Sequence, residues 1–255
     1  MRRSIIGSAL LSVLALLLLV WASSGETSLG QAGSRATPCD TGATPEATPA
    51  ATSDSATPAT VTVYPADSLG ANPLTVDLEH GSALLWRAGE RSVILLHGAA
   101  YDAASWKAEA QTMVSQGFTV LAMEELSPDA IRGGVSYLIN TCRASGVVMV
   151  GASAGGGAAL EALADRPEGI SGVILLSATG NVAALGEYPK LFVGSEGEGL
   201  TDRLTAMAGE APGNQNETLI LPGSAHAQAI FRSEQGTALV EAILTFLDGT
   251  AAWPR

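Results

Sequence analysis

Residues 147–160 read VVMVGASAGGGAAL. Four large apolar residues run into a block of glycine and alanine, with one hydroxyl, Ser153, in the middle. Val147 to Val150 is a continuous apolar run of the kind that forms a strand buried on both faces. Ala154 to Ala164 carries Leu160 and Leu163 among small residues and reads as a helix. Ser153 therefore falls on a strand-to-helix turn. Gly151-Ala152-Ser153-Ala154-Gly155 is a G-x-S-x-G pentapeptide, and Gly151 and Gly155 lack a Cβ where neighbouring backbone would collide with one. The helix N-terminus behind Ser153 offers free N–H groups and the positive end of a dipole. Small residues on both sides let one hydroxyl project into a cleft beside backbone donors. A lone G-x-S-x-G arises by chance, so the surrounding chain must supply the context.

That context is an alternation of short apolar runs and longer amphipathic segments. Strands are expected at Ala83 to Arg87, Val93 to His97, Thr119 to Met123, Val147 to Val150, Gly172 to Ser177, Leu191 to Gly194 and Thr218 to Leu221. Most are unbroken apolar runs, as in a largely parallel sheet covered on both faces. Helices are expected between them. Ala103 to Gln116 carries Trp106, Met113 and Val114, with Gly117 as a stop. Ser127 to Ala144 opens Ser-Pro-Asp, an N-cap followed by proline at the first helical position. It sets Ile131, Val135, Leu138 and Ile139 on one face. Thr201 to Gly209 is shorter, and Glu234 to Leu247 aligns Leu239, Ile243 and Leu247. The fold class is α/β with right-handed crossovers.

The 255 residues divide into three materials. Met1 to Arg3 hold two arginines, and Ser4 to Ser24 carry no charge, with a dense apolar block at Leu14 to Val20. Ala22, Ser23 and Ser24 then supply a small-residue cleavage site. Residues 1–24 read as a secretory signal peptide or, if retained, as a membrane anchor. Either way the body of the protein is expected outside the cytoplasm. Residues 25–59 repeat Ala-Thr-Pro and lack aromatics. Such a composition cannot bury enough surface to offset chain entropy, and it reads as a disordered stalk. Residues 60–255 form the folded domain.

The formal charge of −12 disfavours nucleic acid and anionic membrane surfaces as partners. Cys39 and Cys142 could pair in an oxidising compartment, although Cys39 lies in the stalk. Three histidines without C-x-x-C or H-x-x-x-H spacing give no support to a metal site.

A serine hydroxyl needs a base. His80 follows Glu79 in a charged segment and reads as a solvated surface residue. His97 ends the strand SVILLHG. His226 lies in LILPGSAHAQAIF, in a loop beyond the last strand, where open α/β sheets place their ligands. It is the candidate base. The base needs an orienting carboxylate, and PKLFVGSEGEGLTD offers Glu196, Glu198 and Asp202. The chain order serine, acid, histidine suits an elbow enzyme.

The chain resembles the α/β-hydrolase family. The resemblance rests on VILLHGAAYDAASW, VGASAGGGAAL, KLFVGSEGEG and ILPGSAHAQAIF, in the family's order, and spans about residues 82–248. It implies that Ser153 is the nucleophile and His226 the general base. The N–H groups of Ala99 and Ala154 would form the oxyanion hole. The histidine of the family's HG pair is usually structural, which gives His97 that role. The family's acid is usually an aspartate. Its register here falls on Glu198, with Glu196 and Asp202 as alternatives. No cofactor is implied. Only Ala178 to Lys190 separates the sixth and seventh strands, too little for the helical cap of many relatives, so an open cleft is expected. The reading is a secreted or surface-tethered serine hydrolase acting on a small carboxylic ester. Its rivals are an acyltransferase or lactone hydrolase, and a non-catalytic binding protein on the same scaffold.

Overall fold

The computed structural model describes residues 72–250. Eight strands, β1 (Leu74–Leu78), β2 (Gly81–Trp86), β3 (Arg91–Leu96), β4 (Thr119–Met123), β5 (Gly146–Ala152), β6 (Ile170–Leu176), β7 (Lys190–Ser195) and β8 (Asn216–Leu221), form one sheet in the order β1-β2-β4-β3-β5-β6-β7-β8. β2 runs antiparallel to both its neighbours, and every pair from β4 to β8 is parallel. The helices are α1 (Lys107–Ser115), α2 (Pro128–Ser136), α3 (Ala154–Ala164), α4 (Thr201–Glu210) and α5 (Gly236–Gly249).

The unbroken apolar runs have a direct cause. Successive side chains of a strand point to opposite faces, and each face here carries helices. Val93 and Leu95 of β3 pack with Ala110 and Met113 of α1 and with Leu239 and Ile243 of α5. Ile94 and Leu96 pack on the other side with Ile131 of α2, Leu163 of α3 and Leu204 of α4. β5 divides in the same way, Val148 and Val150 to the first cluster and Val147 and Met149 to the second. Full burial of each such side chain contributes roughly 1.5–3 kcal/mol, so apolar residues fill the middle of the central strands on both faces, and the buried polar residues Ser92, Thr119, Ser171 and Lys190 sit at or next to the strand starts.

Departures from the expected elements are local. β1 was not expected. It is an edge strand, LTVDL, in which Val76 alone is fully buried, so it lacks the two-faced apolar signature. The segment expected as a helix from Ala103 opens as a 3-10 turn, Ala103–Trp106. Asp102 caps that turn by accepting the Ser105 N–H at 2.9 Å, and α1 begins at Lys107. The helix expected to run to Ala144 is capped by Ser127, whose Oγ accepts the Ala130 N–H at 3.2 Å, but it ends at Ser136. A π-type turn, Tyr137–Thr141, follows and widens the spiral. Leu138 stays in the core while Ile139 moves to its margin. α5 starts two residues later than expected, at Gly236.

Residues 177–189, between β6 and β7, hold no helix, and no cap covers the C-terminal edge of the sheet among the described residues. No helix among them is long and apolar enough to cross a membrane. The expected signal segment and stalk, residues 1–59, lie outside the described residues. Cys142 is disulfide-bonded, and Cys39 too lies outside the described residues.

Candidate active site

The C-terminal ends of β5, β6 and β7 and the loop after β8 converge on one point. β5 ends at Ala152 and α3 begins at Ala154, so Ser153 alone makes the turn, at φ 49° and ψ −111°. An L-residue meets steric resistance at such a φ. Two contacts hold the turn: the Ser153 N–H donates to the Leu176 carbonyl at 2.9 Å, and the Gly157 N–H donates to the Ser153 carbonyl at 3.1 Å. Gly155 must be a glycine, because a Cβ there would run into the carbonyl oxygens of Leu96 and His97. The helix start thereby lies directly on the end of β3.

His226 sits past β8, at the head of a 3-10 turn, Ala227–Arg232. Its Nε2 lies 2.9 Å from Ser153 Oγ, and its Nδ1 lies 2.7 Å from Glu198 Oε2. The carboxylate oxygen is an acceptor, so in the neutral ring Nδ1 carries the proton and Nε2 presents its lone pair to the serine hydroxyl. The three residues form one hydrogen-bonded chain, although 73 positions separate the serine from the histidine and 28 the histidine from the glutamate.

Glu198 closes the short turn Glu196–Glu198 after β7. Its side chain is 6% exposed, against 52% for His226. Its second oxygen, Oε1, accepts the Ser195 N–H at 2.5 Å and the Ser177 hydroxyl at 2.8 Å. The carboxylate is thus gripped on one oxygen and offers the other to the ring. The acid loop also lies close to the histidine loop: the Gly197 N–H donates to the Gly223 carbonyl at 2.7 Å, and a Cβ on Gly197 would meet Ser224. Of the other two carboxylates expected here, Glu196 and Asp202 are both exposed, and neither hydrogen-bonds to His226.

Ser177 is a member of this network that sequence reading missed. It follows β6 at φ 48°. Its hydroxyl donates to Glu198 and accepts the Ala227 N–H at 2.9 Å, so it ties the acid to the residue next to His226. The available signal was position: a hydroxyl just past a buried strand, one sheet neighbour away from the elbow.

His97 is buried and does not join the chain. Its Nδ1 lies 2.9 Å from the Gly98 carbonyl and its Nε2 3.1 Å from the Glu124 carbonyl. His80 is exposed beside Glu79. Ala99 and Ala154 are both exposed at the mouth of the site. Ala154 opens α3, where an N–H has no intrahelical acceptor. Among the described residues no hydrogen bond takes the Ala99 N–H. The roughly 400 Å³ recess lined by Leu191, Leu219 and Phe246 belongs to the β8–α5 side and includes neither Ser153 nor His226. Ser153 is half-buried, with the exposed Ala154 beside it.

No family model matches the chain, and no curated protein matches it. Solved structures do. A dienelactone hydrolase from Anabaena variabilis is similar at 20% identity with a TM-score of 0.56, covering 69% of this chain and 96% of that one. An esterase from Exiguobacterium antarcticum is similar at 10% identity and 0.53, covering 69% and 100%. A carboxylesterase from Bacillus subtilis is similar at 14% identity and 0.53, covering 69% and 91%. At these identities the likeness is one of architecture. Together with the strand order, the antiparallel second strand and the elbow after β5, it establishes that the chain has the α/β-hydrolase fold.

Proposed function

We propose that the protein is a serine hydrolase that cleaves a carboxylic ester through an acyl-enzyme. The observation that carries this reading is the hydrogen-bonded chain Ser153–His226–Glu198 on a strand-to-helix elbow. In the proposed mechanism Ser153 Oγ attacks the acyl carbon while His226 Nε2 takes its proton. The carbonyl oxygen becomes an oxyanion beside the N–H groups of Ala99 and Ala154. Glu198 stabilises the imidazolium that forms. His226 then hands the proton to the departing alcohol, and water releases the acid by the same path.

The open mouth supports a small soluble ester, or the exposed end of a larger molecule, as substrate. Among the described residues no lid adds the apolar surface that would sequester a long acyl chain. A lactone is an internal ester and falls within the same chemistry. The N-terminal segment, residues 1–24, supports action outside the cytoplasm, either secreted or tethered.

A fluorophosphonate probe tests the reading. The expected result is a single adduct on Ser153, accompanied by turnover of short-chain nitrophenyl esters. No adduct and no turnover would favour a non-catalytic binding protein on this scaffold. Including lactones and an added alcohol acceptor in the same screen separates hydrolysis from acyl transfer. The mass of the mature N-terminus, read on exported protein, shows whether the first 24 residues are removed.

A further inference from the structure

Gln228 is 1% exposed and lies two positions past His226, yet its side chain makes no hydrogen bond to Ser153, His226 or Glu198. Its side chain reaches across to the loop after β3. Oε1 accepts the Gly98 N–H at 2.7 Å, and Nε2 donates to Ser105 Oγ at 3.0 Å. The Gly98 N–H can only donate, so the orientation of the amide is fixed by its partners. Ser105 is itself anchored: its hydroxyl donates to the Asp102 carbonyl at 2.5 Å and its N–H to Asp102 Oδ1 at 2.9 Å. One buried amide therefore holds both ends of the segment from Gly98 to Ser105.

The peptide that follows Gly98 carries the Ala99 N–H. A trans peptide is planar, so this N–H points opposite to the Gly98 carbonyl. That carbonyl accepts the Tyr101 N–H at 3.0 Å and lies 2.9 Å from His97 Nδ1. Gly98 has no side chain to restrict its dihedrals, so a flip of this peptide meets little steric resistance. Hydrogen bonds must supply the restriction. Gln228 fixes the amide on the N-terminal side of Gly98, and the Tyr101 and His97 contacts fix the carbonyl on the other. Gly98 also lies close to the elbow, because a Cβ on it would sit 3.7 Å from the Ala152 carbonyl oxygen and 3.7 Å from Gln228 Oε1.

We infer that Gln228 is a positioning residue that aims the Ala99 N–H at the developing oxyanion, and so couples the histidine loop to the oxyanion loop. The inference rests on the acyl-transfer reading above. Arg232 reinforces the same junction, with its guanidinium 3.4 Å from both the Ser105 and the Gln228 carbonyls. Oxyanion stabilisation acts on the transition state and not on bound substrate, so its loss appears in kcat and leaves KM nearly untouched.

The test uses Gln228→Leu, which keeps the shape and removes both hydrogen bonds, and Ser105→Ala, which frees only the far end of the amide. Active sites are counted with a fluorophosphonate, so misfolded protein does not enter the rate. For a nitrophenyl ester, Gln228→Leu is expected to lose about 10- to 100-fold in kcat per titrated site, below the 10²–10³ of a fully removed donor, with KM within about twofold. Ser105→Ala is expected to lose a few-fold in the same pattern. The matching thionoester places sulfur, a weak acceptor, in the hole. Its rate should fall less than that of the ester, so the ester-to-thionoester ratio shrinks in both variants. Amide hydrogen exchange at Gly98 should accelerate in Gln228→Leu without substrate present. If Gln228→Leu does not fold, Ser105→Ala alone carries the ratio and the KM readout. Unchanged kcat per titrated site, or equal loss on ester and thionoester, overturns the inference and leaves the acyl-transfer reading standing. A wild-type protein that neither turns over esters nor takes the probe overturns both.

Discussion

Replacing Glu198 by glutamine alters little in shape and reverses the logic of the site. The carboxylate makes three hydrogen bonds as an acceptor, to His226 Nδ1, to the Ser195 N–H and to the Ser177 hydroxyl. A glutamine amide has one oxygen and one nitrogen to share among these partners. The Ser195 N–H, 2.5 Å from Oε1, can only donate, so it holds the amide oxygen on that side. The amide nitrogen then faces His226 Nδ1 and donates to it. Nδ1 must accept, the ring proton moves to Nε2, and Nε2 meets Ser153 as a donor instead of a base. The flipped amide restores the productive tautomer but sets two donors against each other at Ser195. Leaving a buried N–H unsatisfied costs about 1–3 kcal/mol, which keeps the productive arrangement below roughly one molecule in five. Loss of the charge that stabilises the imidazolium comes on top. The expected outcome is a fall of about 10²- to 10⁴-fold in kcat per titrated active site, with an unchanged circular dichroism spectrum and little change in Tm. Glu196→Gln and Asp202→Asn, both on exposed carboxylates, should each cost less than about tenfold. Retention of more than a tenth of wild-type kcat by Glu198→Gln would refute the tautomer argument, and a crippled Asp202→Asn would move the acid role to Asp202.

Four further outcomes follow from the same contacts. Ser153→Ala should abolish fluorophosphonate labelling and lower ester turnover by about 10⁴-fold or more while the fold persists; a tenth of wild-type rate would exclude Ser153 as nucleophile. Ser177→Ala should cost about 1–3 kcal/mol of stability in urea, because it orphans the Ala227 N–H, and should lower kcat per titrated site; an effect on stability alone would mean that Glu198 needs no second grip. Gly155→Ala should destabilise severely or prevent folding, whereas Gly157→Ala, with nothing near its Cβ position, should gain about 0.5–1 kcal/mol in urea unfolding; the reverse order would contradict the packing of α3 on β3. Lys190 is buried and donates to the Tyr188 and Pro212 carbonyls, and burial lowers its pKa from 10.5 to about 8. The unfolded chain therefore holds more protons between these values, so stability should rise with pH above 8. Tyr188, pushed up from 10.0 to about 12 by burial, opposes this trend only above pH 10. Lys190→Met should flatten the rise, read as urea midpoints between pH 7.5 and pH 10, and an unchanged slope would refute the attribution.

The parts of the fold legible in the sequence share one physical property. Each central strand is buried on both faces and leaves an unbroken apolar run that cannot be mistaken for a surface segment. β1 has one fully buried residue, Val76, and leaves no such trace. The π-type turn at Tyr137–Thr141 was invisible because its apolar residues still fit a straight helix. At the site, Ser153 and His226 were legible from their places at strand ends. For the acid, the register of the resemblance fell on Glu198, but Glu196 and Asp202 stayed open as alternatives, since all three lie in one acidic loop. A distinguishing signal did exist. Ser195-Glu196-Gly197-Glu198 has the S-x-x-E spacing in which a glutamate reaches back to the N–H of the first residue, and that contact is the one that grips Glu198. Ser177 offers no more than its place just past a buried strand, and Gln228 carries no local pattern. Their roles come from tertiary neighbours 21 and 130 positions away.

The backbone strain in the structure is distributed in a way that bears on how such a site keeps its shape. Non-glycine residues at positive φ among the described ones are Arg143, Ser153, Arg166, Ser177 and Ala227. Ser153, Ser177 and Ala227 belong to the hydrogen-bonded network around the serine, and each sits just past a strand end or at the head of the histidine turn. Each costs about 1–2 kcal/mol relative to ordinary backbone, and each persists because its N–H is held by another strand end or by the network itself. The Ser153 N–H is held by the Leu176 carbonyl at 2.9 Å, the Ser177 N–H by the Val193 carbonyl at 2.7 Å, and the Ala227 N–H by the Ser177 hydroxyl at 2.9 Å. The order is sequential across the sheet: the end of β6 holds the elbow after β5, the end of β7 holds the turn after β6, and that turn holds the histidine loop after β8. Strain offset by rigid neighbours in this way is a means of fixing side chains that loops alone would leave loose. The sheet edge, more than the loops, therefore sets the 2.9 Å and 2.7 Å separations along Ser153, His226 and Glu198. The exposed side chains of Ala100 and Tyr101 take no part in these contacts and are free to vary.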